Sequence, residues 1–272
     1  MPFIIDIDPV ALRVAGIDIR WYGVTLAIAI GVAYAVASSE ARRHRLALGV
    51  VADGAVWVGI AALAGGRALY LVQDGLPDLA AHPAHIFMVW MGGLSFYGGL
   101  LAGLVALIVF ARRRGISWLV ALDVAAPAAA IGQAIGHVGC LIGGDSSGIA
   151  TSVPWAVIYE NRGAMAPLGV PLHPTQAYEA LALTALFAVL WWMRTRLTVF
   201  PGALAAVYLG GLAAIRFLLF FLRDEPAVFA GLKTAQLIGL AILGIAAALL
   251  MFALRRPRRR RTHALDLEVA QS

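Results

Sequence analysis

The chain is poor in charged residues and almost lacks cysteine. Only 13% of its 272 residues are Asp, Glu, Lys or Arg, whereas 61% are hydrophobic and the mean hydropathy is +0.85. Soluble domains carry about twice that charge, so this composition excludes an ordinary soluble domain and indicates a protein embedded in lipid. The single cysteine, Cys140, excludes an internal disulfide framework and a multi-thiolate zinc site. No histidine or carboxylate spacing is typical of a metal site, and we expect no cofactor.

The amino-terminal sequence also lacks a cleavable signal peptide. In place of a basic region followed by an apolar core, MPFIIDIDPVALRVAGIDIR carries Asp6, Asp8 and Asp18. We therefore expect the segment to be retained. Its alternation of Ile and Asp predicts a short interfacial segment, residues 1–20, lying outside the bilayer before the first span.

Seven apolar stretches of membrane-spanning length follow, each bounded by charge or by Pro and Gly. They predict an all-α integral membrane protein whose single membrane domain covers residues 21–254, followed by a basic tail at 255–272. The predicted spans are 21–38, 50–73, 86–111, 117–136, 174–193, 201–222 and 233–254.

The basic residues are distributed unevenly along this pattern. Fourteen arginines cluster after the odd-numbered spans, five basic residues lie on the other side, and two, Arg67 and Arg216, lie inside spans. Because cytoplasmic loops are enriched in Lys and Arg, we expect the amino terminus outside and the carboxyl terminus in the cytoplasm. The tail sequence RRPRRRR is then expected to bind anionic membrane lipid, and we expect no nucleic-acid partner.

The stretch from about 137 to 173 is the longest predicted segment without a span. It opens on GHVGCLIGGDSSG, whose glycine content argues against a regular helix. Irregular backbone at membrane depth is tolerated only where protein buries it or water reaches it. We therefore expect an irregular outer-side loop region that lines a lipid-accessible cavity.

Two arginines inside spans need partners, because a charge in hydrocarbon is costly. Arg67 lies near the outer end of the second span, where its side chain could reach the interface or bind a substrate. Arg216 lies deep in GGLAAIRFLLFFL, with no acidic residue within four positions. Its counter-charge could be Asp145, Glu179 or Asp123, or an anionic lipid headgroup, since an arginine fork binds phosphate with two hydrogen bonds.

Four other titratable side chains lie near the outer half of the predicted membrane domain. His173 opens HPTQAYEAL at the start of the fifth span, and Tyr97, His137 and Asp145 lie at comparable depth. A base among them could deprotonate a thiol or an alcohol, although a single histidine is often only a hydrogen-bonded structural residue.

Six motifs occur in a specific order: IRWYG, GGRALY, GGLSFYGGLLAG, GHVGCLIGGDSSG, LHPTQAYE and IRFLLFFLRDEP. In motif order, spacing and topology, over about residues 17–255, the chain resembles the prolipoprotein diacylglyceryl transferase family. The resemblance implies a multi-pass enzyme of the bacterial plasma membrane. Such an enzyme transfers the diacylglyceryl group of phosphatidylglycerol to the lipobox cysteine thiol of a prolipoprotein signal peptide and releases glycerol phosphate.

The resemblance also implies site residues. Arg216 matches the family's essential sixth-span arginine, Arg223 its outer arginine, Tyr22 its first-span tyrosine and Gly148 its loop glycine. The residues expected to bind substrate are Tyr22, Arg67, Cys140, Asp145, Gly148, Glu179 and Arg223.

The predicted reaction centre departs from the family pattern. Tyr97 stands where the family has its proposed histidine base, His137 where it has a catalytic arginine, and Cys140 where it has an asparagine. Asp145 matches a glutamate, and Phe220 replaces an acidic residue.

We therefore expect a divergent centre with four catalytic residues. Arg216 and a protonated His137 would hold phosphate, and Tyr97 or His173 would be the base. The alternatives are a paralogue that binds phospholipid with a different acceptor, or a non-catalytic lipid-binding membrane protein.

Overall fold

The computed structural model describes residues 2–14, 17–76, 79, 82–87, 93–197 and 199–255. Within these residues, seven helices are long and apolar enough to cross a membrane, which confirms the predicted number of spans. The predicted basic tail lies outside the described residues except for Arg255. The helices are α1 (Trp21–Arg43), α2 (Leu48–Tyr70), α3 (Phe96–Arg113), α4 (Trp118–Gly143), α5 (Thr175–Leu197), α6 (Ala203–Leu219) and α7 (Thr234–Arg255).

Six short strands among the described residues lie outside the seven long helices. They are β1 (Phe3–Ile5), β2 (Val10–Val14), β3 (Ile17–Arg20), β4 (Val157–Tyr159), β5 (Ala227–Phe229) and β6 (Leu232–Lys233). β2 with β3 and β5 with β6 form antiparallel pairs, whereas β1 pairs in parallel with β4. The all-α description therefore applies to the membrane-spanning part. The Ile and Asp alternation near the amino terminus has the period of two that a strand requires, and part of that segment forms strands.

Two predicted span boundaries differ from the structure by more than about five residues. The third span was predicted from residue 86, but α3 begins at Phe96, after Gly93, whose φ of 72° does not fit a right-handed helix. Residues 88–92 of that predicted span lie outside the described residues. The fourth span was predicted to end at residue 136, but α4 continues to Gly143. The expectation of irregular backbone from residue 137 is therefore wrong for the first part of GHVGCLIGGDSSG.

Close packing against α1 explains the glycine at position 139 of α4. A Cβ atom added at Gly139 would lie 2.1 Å from Thr25 Oγ1 and 3.1 Å from Tyr22 Cα. Glycine thus allows the two helix backbones to approach each other, as small residues commonly do in membrane proteins. At Gly136, one turn earlier, an added Cβ atom meets nothing within 4 Å.

This difference gives a matched pair of variants. We expect Gly139→Ala to destabilise the protein by about 1–3 kcal/mol through overpacking. Gly136→Ala should leave stability unchanged or raise it by up to about 1 kcal/mol, because Ala is the better helix former. Thermal unfolding in detergent checks both variants, and equal melting temperatures would contradict the packing at Gly139.

The described residues separate into two compact units, which we describe individually. One contains the residues up to Ile30 and those from Ala129 onward, and the other is Gly31–Ala128. Within the second unit α2 packs on α3 at glycines of two motifs: a Cβ atom at Gly98 would lie 2.3 Å from the Gly65 carbonyl oxygen. The glycines of GGRALY and SFYGG thus have a packing role.

The loop between α4 and α5 belongs to the first unit and has a small core of its own. Val157, Tyr159, Ala166 and Leu172 form this core. Burial raises the pKa of Tyr159 to about 12, so its hydroxyl stays protonated and donates a hydrogen bond to the Leu141 carbonyl oxygen at 2.7 Å. The loop is therefore anchored to the end of α4.

Candidate active site

The carboxylate of Glu179 is the centre of a buried charge cluster in the first unit. The residue is 1% exposed and lies about one turn into α5. Its Oε2 accepts a hydrogen bond from Arg223 Nη2 at 2.6 Å, and its Oε1 lies 3.4 Å from Arg216 Nη2 and 3.6 Å from His137 Nε2. One carboxylate thus faces two guanidinium groups and an imidazole, so the cluster has an excess of positive charge.

Three separate elements bring these side chains together. α4 carries His137 and α6 carries Arg216, while Arg223 follows the 3-10 turn Phe220–Leu222 that continues α6. Glu179 is one of the three carboxylates that we considered as partners for Arg216 from the sequence. The buried arginine therefore has a counter-charge from another helix, as one of the alternatives required.

The aromatic ring of Phe220 lies beside both arginines. Its centroid is 4.8 Å from Arg223 Cζ and 6.0 Å from Arg216 Cζ. These are cation–π distances, and Phe220 is 4% exposed. The ring contributes no negative charge, so it leaves the charge excess of the cluster in place.

The first residues of α5 fix the loop that follows α4. The Thr175 hydroxyl donates to the Ser146 carbonyl oxygen at 2.8 Å, and Gln176 Nε2 donates to the Asp145 carbonyl oxygen at 2.7 Å. Both side chains are fully buried. The HPTQAYE motif therefore holds the Asp145 loop and presents Glu179 from one helix start.

A second pair of polar side chains fixes the chain after α6. Lys233 Nζ donates to the Phe220 carbonyl oxygen at 2.6 Å and also to the Arg223 carbonyl oxygen, while Gln236 Nε2 donates to the Phe217 carbonyl oxygen at 3.1 Å. These contacts position the backbone of Arg223. The sequence did not identify Gln176, Lys233 and Gln236 as positioning residues, although polar residues at the ends of apolar helices were a visible signal.

A polar cavity of about 530 Å³ lies in the loop region, and the expected access of lipid to it stays a prediction. Asp145, Gly148 and Arg223 are among its lining residues. Arg223 also binds Glu179, so this side chain belongs to both the cavity wall and the charge cluster. Gly148 allows a close backbone crossing: an added Cβ atom would lie 2.8 Å from the carbonyl oxygens of both His173 and Leu222.

Tyr22 and Cys140 lie near the same centre. Cys140 interacts electrostatically with Asp145, Glu179 and Arg223, and Tyr22 interacts with Cys140 and Asp145. Tyr22 is 46% exposed at the start of α1, whereas Cys140 is half-buried in α4. The structure thus brings together most of the site residues that were predicted from the sequence.

His173 takes part in a chain of hydrogen bonds beside this centre. Its Nδ1 lies 3.3 Å from the Tyr178 hydroxyl oxygen, which accepts a hydrogen bond from Trp155 Nε1 at 2.6 Å. Its backbone pairs with Gly148 and Ile149. These contacts favour the structural alternative for His173.

Arg67 and Tyr97 belong to the second unit. Arg67 is 6% exposed, donates from Nη1 to the Gly93 carbonyl oxygen at 3.1 Å and lies over the Tyr70 ring at 5.4 Å. It is buried and fixes the backbone before α3, which disfavours a side chain that extends to the interface. Tyr97 lies in the first turn of α3, edge-on to Phe96 at 5.3 Å between ring centroids.

No group of three or more His, Cys, Asp or Glu side chains among the described residues could hold a metal ion. The side chains described at the site are two guanidinium groups, a carboxylate and an imidazole.

These features define a multi-pass membrane protein with a buried cationic centre next to a polar cavity. The sequence model of the family described as Prolipoprotein diacylglyceryl transferase matches residues 9–253, and the chain belongs to this family.

Three relatives illustrate the similarity, each named phosphatidylglycerol–prolipoprotein diacylglyceryl transferase. The protein from Bordetella bronchiseptica is 34% identical over 263 residues, which cover 93% of this chain and 98% of the relative. The protein from Azotobacter vinelandii is 35% identical, with 93% and 97% covered. The protein from Geobacter sulfurreducens is 36% identical, with 81% and 84% covered.

Proposed function

We propose that this chain transfers the diacylglyceryl group of phosphatidylglycerol to the cysteine thiol of a prolipoprotein signal peptide, releasing glycerol phosphate. Membership of the family and the names of its relatives support the reaction. The structural observation that carries the proposal is the pair Arg216 and Arg223 on the single carboxylate of Glu179. This pair is a buried cationic site suited to one phosphate.

The charges explain why a phospholipid phosphate fits. Arg216 and Arg223 carry two positive charges against one negative charge on Glu179. Arg223 binds the carboxylate through Nη2, and its Nε has no hydrogen-bond partner among the described residues. A guanidinium group has five N–H donors, so Arg223 keeps a donor that can reach a phosphate. In surroundings of low dielectric constant the remaining positive charge attracts an anion strongly.

The same groups suit the chemical step. The acceptor sulfur attacks the glyceryl carbon, the carbon–oxygen bond to phosphate breaks, and the electron pair stays on the phosphate oxygen. Negative charge therefore develops on the phosphate in the transition state. Cations held in place before the reaction stabilise this charge without a reorganisation cost, and Arg216 and Arg223 are so held.

The departures from the family pattern are balanced in charge. The resemblance gives an arginine at the position of His137 and an acidic residue at the position of Phe220. Exchanging the first for a neutral histidine removes one positive charge, and exchanging the second for phenylalanine removes one negative charge. The net charge of the centre is therefore kept, which supports a working transferase over a non-catalytic lipid-binding protein.

Complementation in cells tests the proposed function. A bacterial strain depleted of its own transferase should grow when it expresses this chain, and the mass of a reporter lipoprotein should increase by one diacylglyceryl group. A chain with Arg216→Ala is the matched control. Growth without that mass change would favour a different acceptor, and failure of a well-expressed chain would contradict the proposal.

We also propose that the protein lies in the bacterial plasma membrane with its amino terminus outside and its carboxyl terminus in the cytoplasm. The clusters of Arg at the ends of α1, α3, α5 and α7 support this orientation.

Reporter fusions test this orientation. Fusions after residues 45, 114, 196 and 258 should report a cytoplasmic location, and fusions near 80, 160 and 228 an external one. Alkaline phosphatase and a cytoplasmic fluorescent protein give opposite signals, so each serves as the other's control. Reversed signals at two or more positions would rule out the orientation.

A further inference from the structure

We propose that His137 accepts the proton of the acceptor thiol and, once protonated, stabilises the leaving phosphate. This inference rests on the proposed function and names the base for that reaction. It differs from the expectation that His137 is a cation throughout, and from the expectation that Tyr97 or His173 is the base.

The contacts of His137 indicate which ring nitrogen lacks a hydrogen-bond partner. Its side chain is 13% exposed, and Nε2 faces Glu179 Oε1 at 3.6 Å, an electrostatic rather than a hydrogen-bonding distance. Nδ1 is buried and has no hydrogen-bond partner among the described residues. The tautomer assigned from these contacts carries its proton on Nε2, toward the carboxylate, and leaves the Nδ1 lone pair free to accept a proton.

Glu179 is suited to orient this imidazole because it is itself fixed. Its other oxygen accepts the 2.6 Å hydrogen bond from Arg223, and the residue is buried. A fixed carboxylate beside Nε2 stabilises the imidazolium that forms when Nδ1 is protonated, as in hydrolase triads. The other charged groups that interact with His137 are Arg216, Arg223 and Asp145.

With this role for His137, the positive charge of the site increases when the negative charge on the phosphate group increases. With neutral His137, Arg216, Arg223 and Glu179 together carry one net positive charge, which offsets the single negative charge of a phosphodiester, and Asp145 is a second carboxylate that interacts with His137. After the sulfur–carbon bond forms and the carbon–oxygen bond breaks, the product is a phosphomonoester with a charge of roughly −2. The thiol proton now on Nδ1 gives the site a second positive charge, and the proton passes to water as the product leaves.

Neighbouring groups are less well placed for the base role. The Nδ1 atom of His173 is engaged with the Tyr178 hydroxyl. The carboxylate of Glu179 is engaged by Arg223 and Arg216. His137 therefore combines a free lone pair with contact to the group that would orient it.

An acceptor peptide that needs no base distinguishes a base role of His137 from a cationic or a structural role. A selenol is ionised at neutral pH, so a lipobox peptide with selenocysteine in place of cysteine presents its nucleophile already deprotonated. The experiment uses purified full-length protein, phosphatidylglycerol vesicles, both peptides and a reductant. The variants are His137→Arg, which keeps a charge but cannot accept the proton, His137→Gln, and Arg216→Lys as the control.

On the cysteine peptide we expect both His137 variants to lose about 10²- to 10⁴-fold in rate, the usual contribution of a general base. On the selenocysteine peptide they should approach the unaltered protein to within about tenfold, whereas Arg216→Lys should keep its full defect on both peptides.

Two results would overturn the base role while leaving the proposed function intact. These are equal defects of the His137 variants on both peptides, and full activity of His137→Arg on the cysteine peptide. No transfer by the unaltered protein to either peptide would instead contradict the proposed function, and the role of His137 with it.

Discussion

Arg216→Lys is expected to lower the rate of diacylglyceryl transfer by about 10²- to 10³-fold, the usual cost of removing one charge-stabilising donor. Lysine keeps the charge but is a point donor on a flexible stem, so it cannot reproduce the planar fork that would bind phosphate and face Glu179 together. The measurement is the initial rate of transfer from phosphatidylglycerol to a lipobox peptide.

A matched control for this substitution lies in the loop between α4 and α5. Arg162 is exposed there, and Arg162→Lys should leave the rate within about twofold of the unaltered protein, as expected for a surface change. If Arg216→Lys transferred lipid as fast as Arg162→Lys, the phosphate role of Arg216 would be wrong.

Glu179→Gln is expected to have the largest effect on stability. The substitution removes the negative charge from a buried group that faces Arg223 at 2.6 Å and Arg216 at 3.4 Å, and leaves both cations without it. Breaking a buried ion pair from one side costs about 3–5 kcal/mol. The melting temperature in detergent should therefore fall well below that of Glu160→Gln, an exposed glutamate that serves as the control.

A second substitution and added lipid distinguish the effect of the Glu179 charge from the effect of its side-chain shape. Adding Arg223→Gln to Glu179→Gln should restore part of the lost stability, because one uncompensated charge is removed as well. Adding phosphatidylglycerol should raise the melting temperature of Glu179→Gln more than that of the unaltered protein, because the phosphate supplies the missing negative charge. Equal shifts on adding lipid would indicate that no phosphate binds beside these arginines.

The membrane-spanning architecture could be predicted from the sequence because hydrocarbon imposes a length and a composition on each span. The start of α5 is a clear example. His173 and Pro174 precede a helix that was predicted from residue 174 and begins at Thr175. The end of α4 could not be predicted in the same way. Gly139 resembles a helix breaker in sequence, and only the contact with Thr25 and Tyr22 of α1 shows that it is a packing position.

The candidate site was only partly predictable for a related reason. Buried charges such as Arg216 were conspicuous, because hydrocarbon makes them costly. Their partners could not be assigned, since Glu179 lies 37 positions away in sequence and three carboxylates were possible. Arg67 shows the limit of this reasoning. Arg67 is equally conspicuous in sequence, but its Nη1 donates to the backbone carbonyl oxygen of Gly93, and both residues belong to the second unit.

The most direct test of the proposed reaction is the mass of the acceptor. Purified protein is mixed with vesicles of phosphatidylglycerol of defined acyl chains and a synthetic lipobox peptide, and the peptide and the water-soluble product are analysed by mass spectrometry. We predict a peptide heavier by the diacylglyceryl group of that lipid, together with an equal amount of glycerol phosphate. Neither product should form when the lipobox cysteine is replaced by serine. An unchanged peptide, or one that gains any other group, would contradict the proposed function.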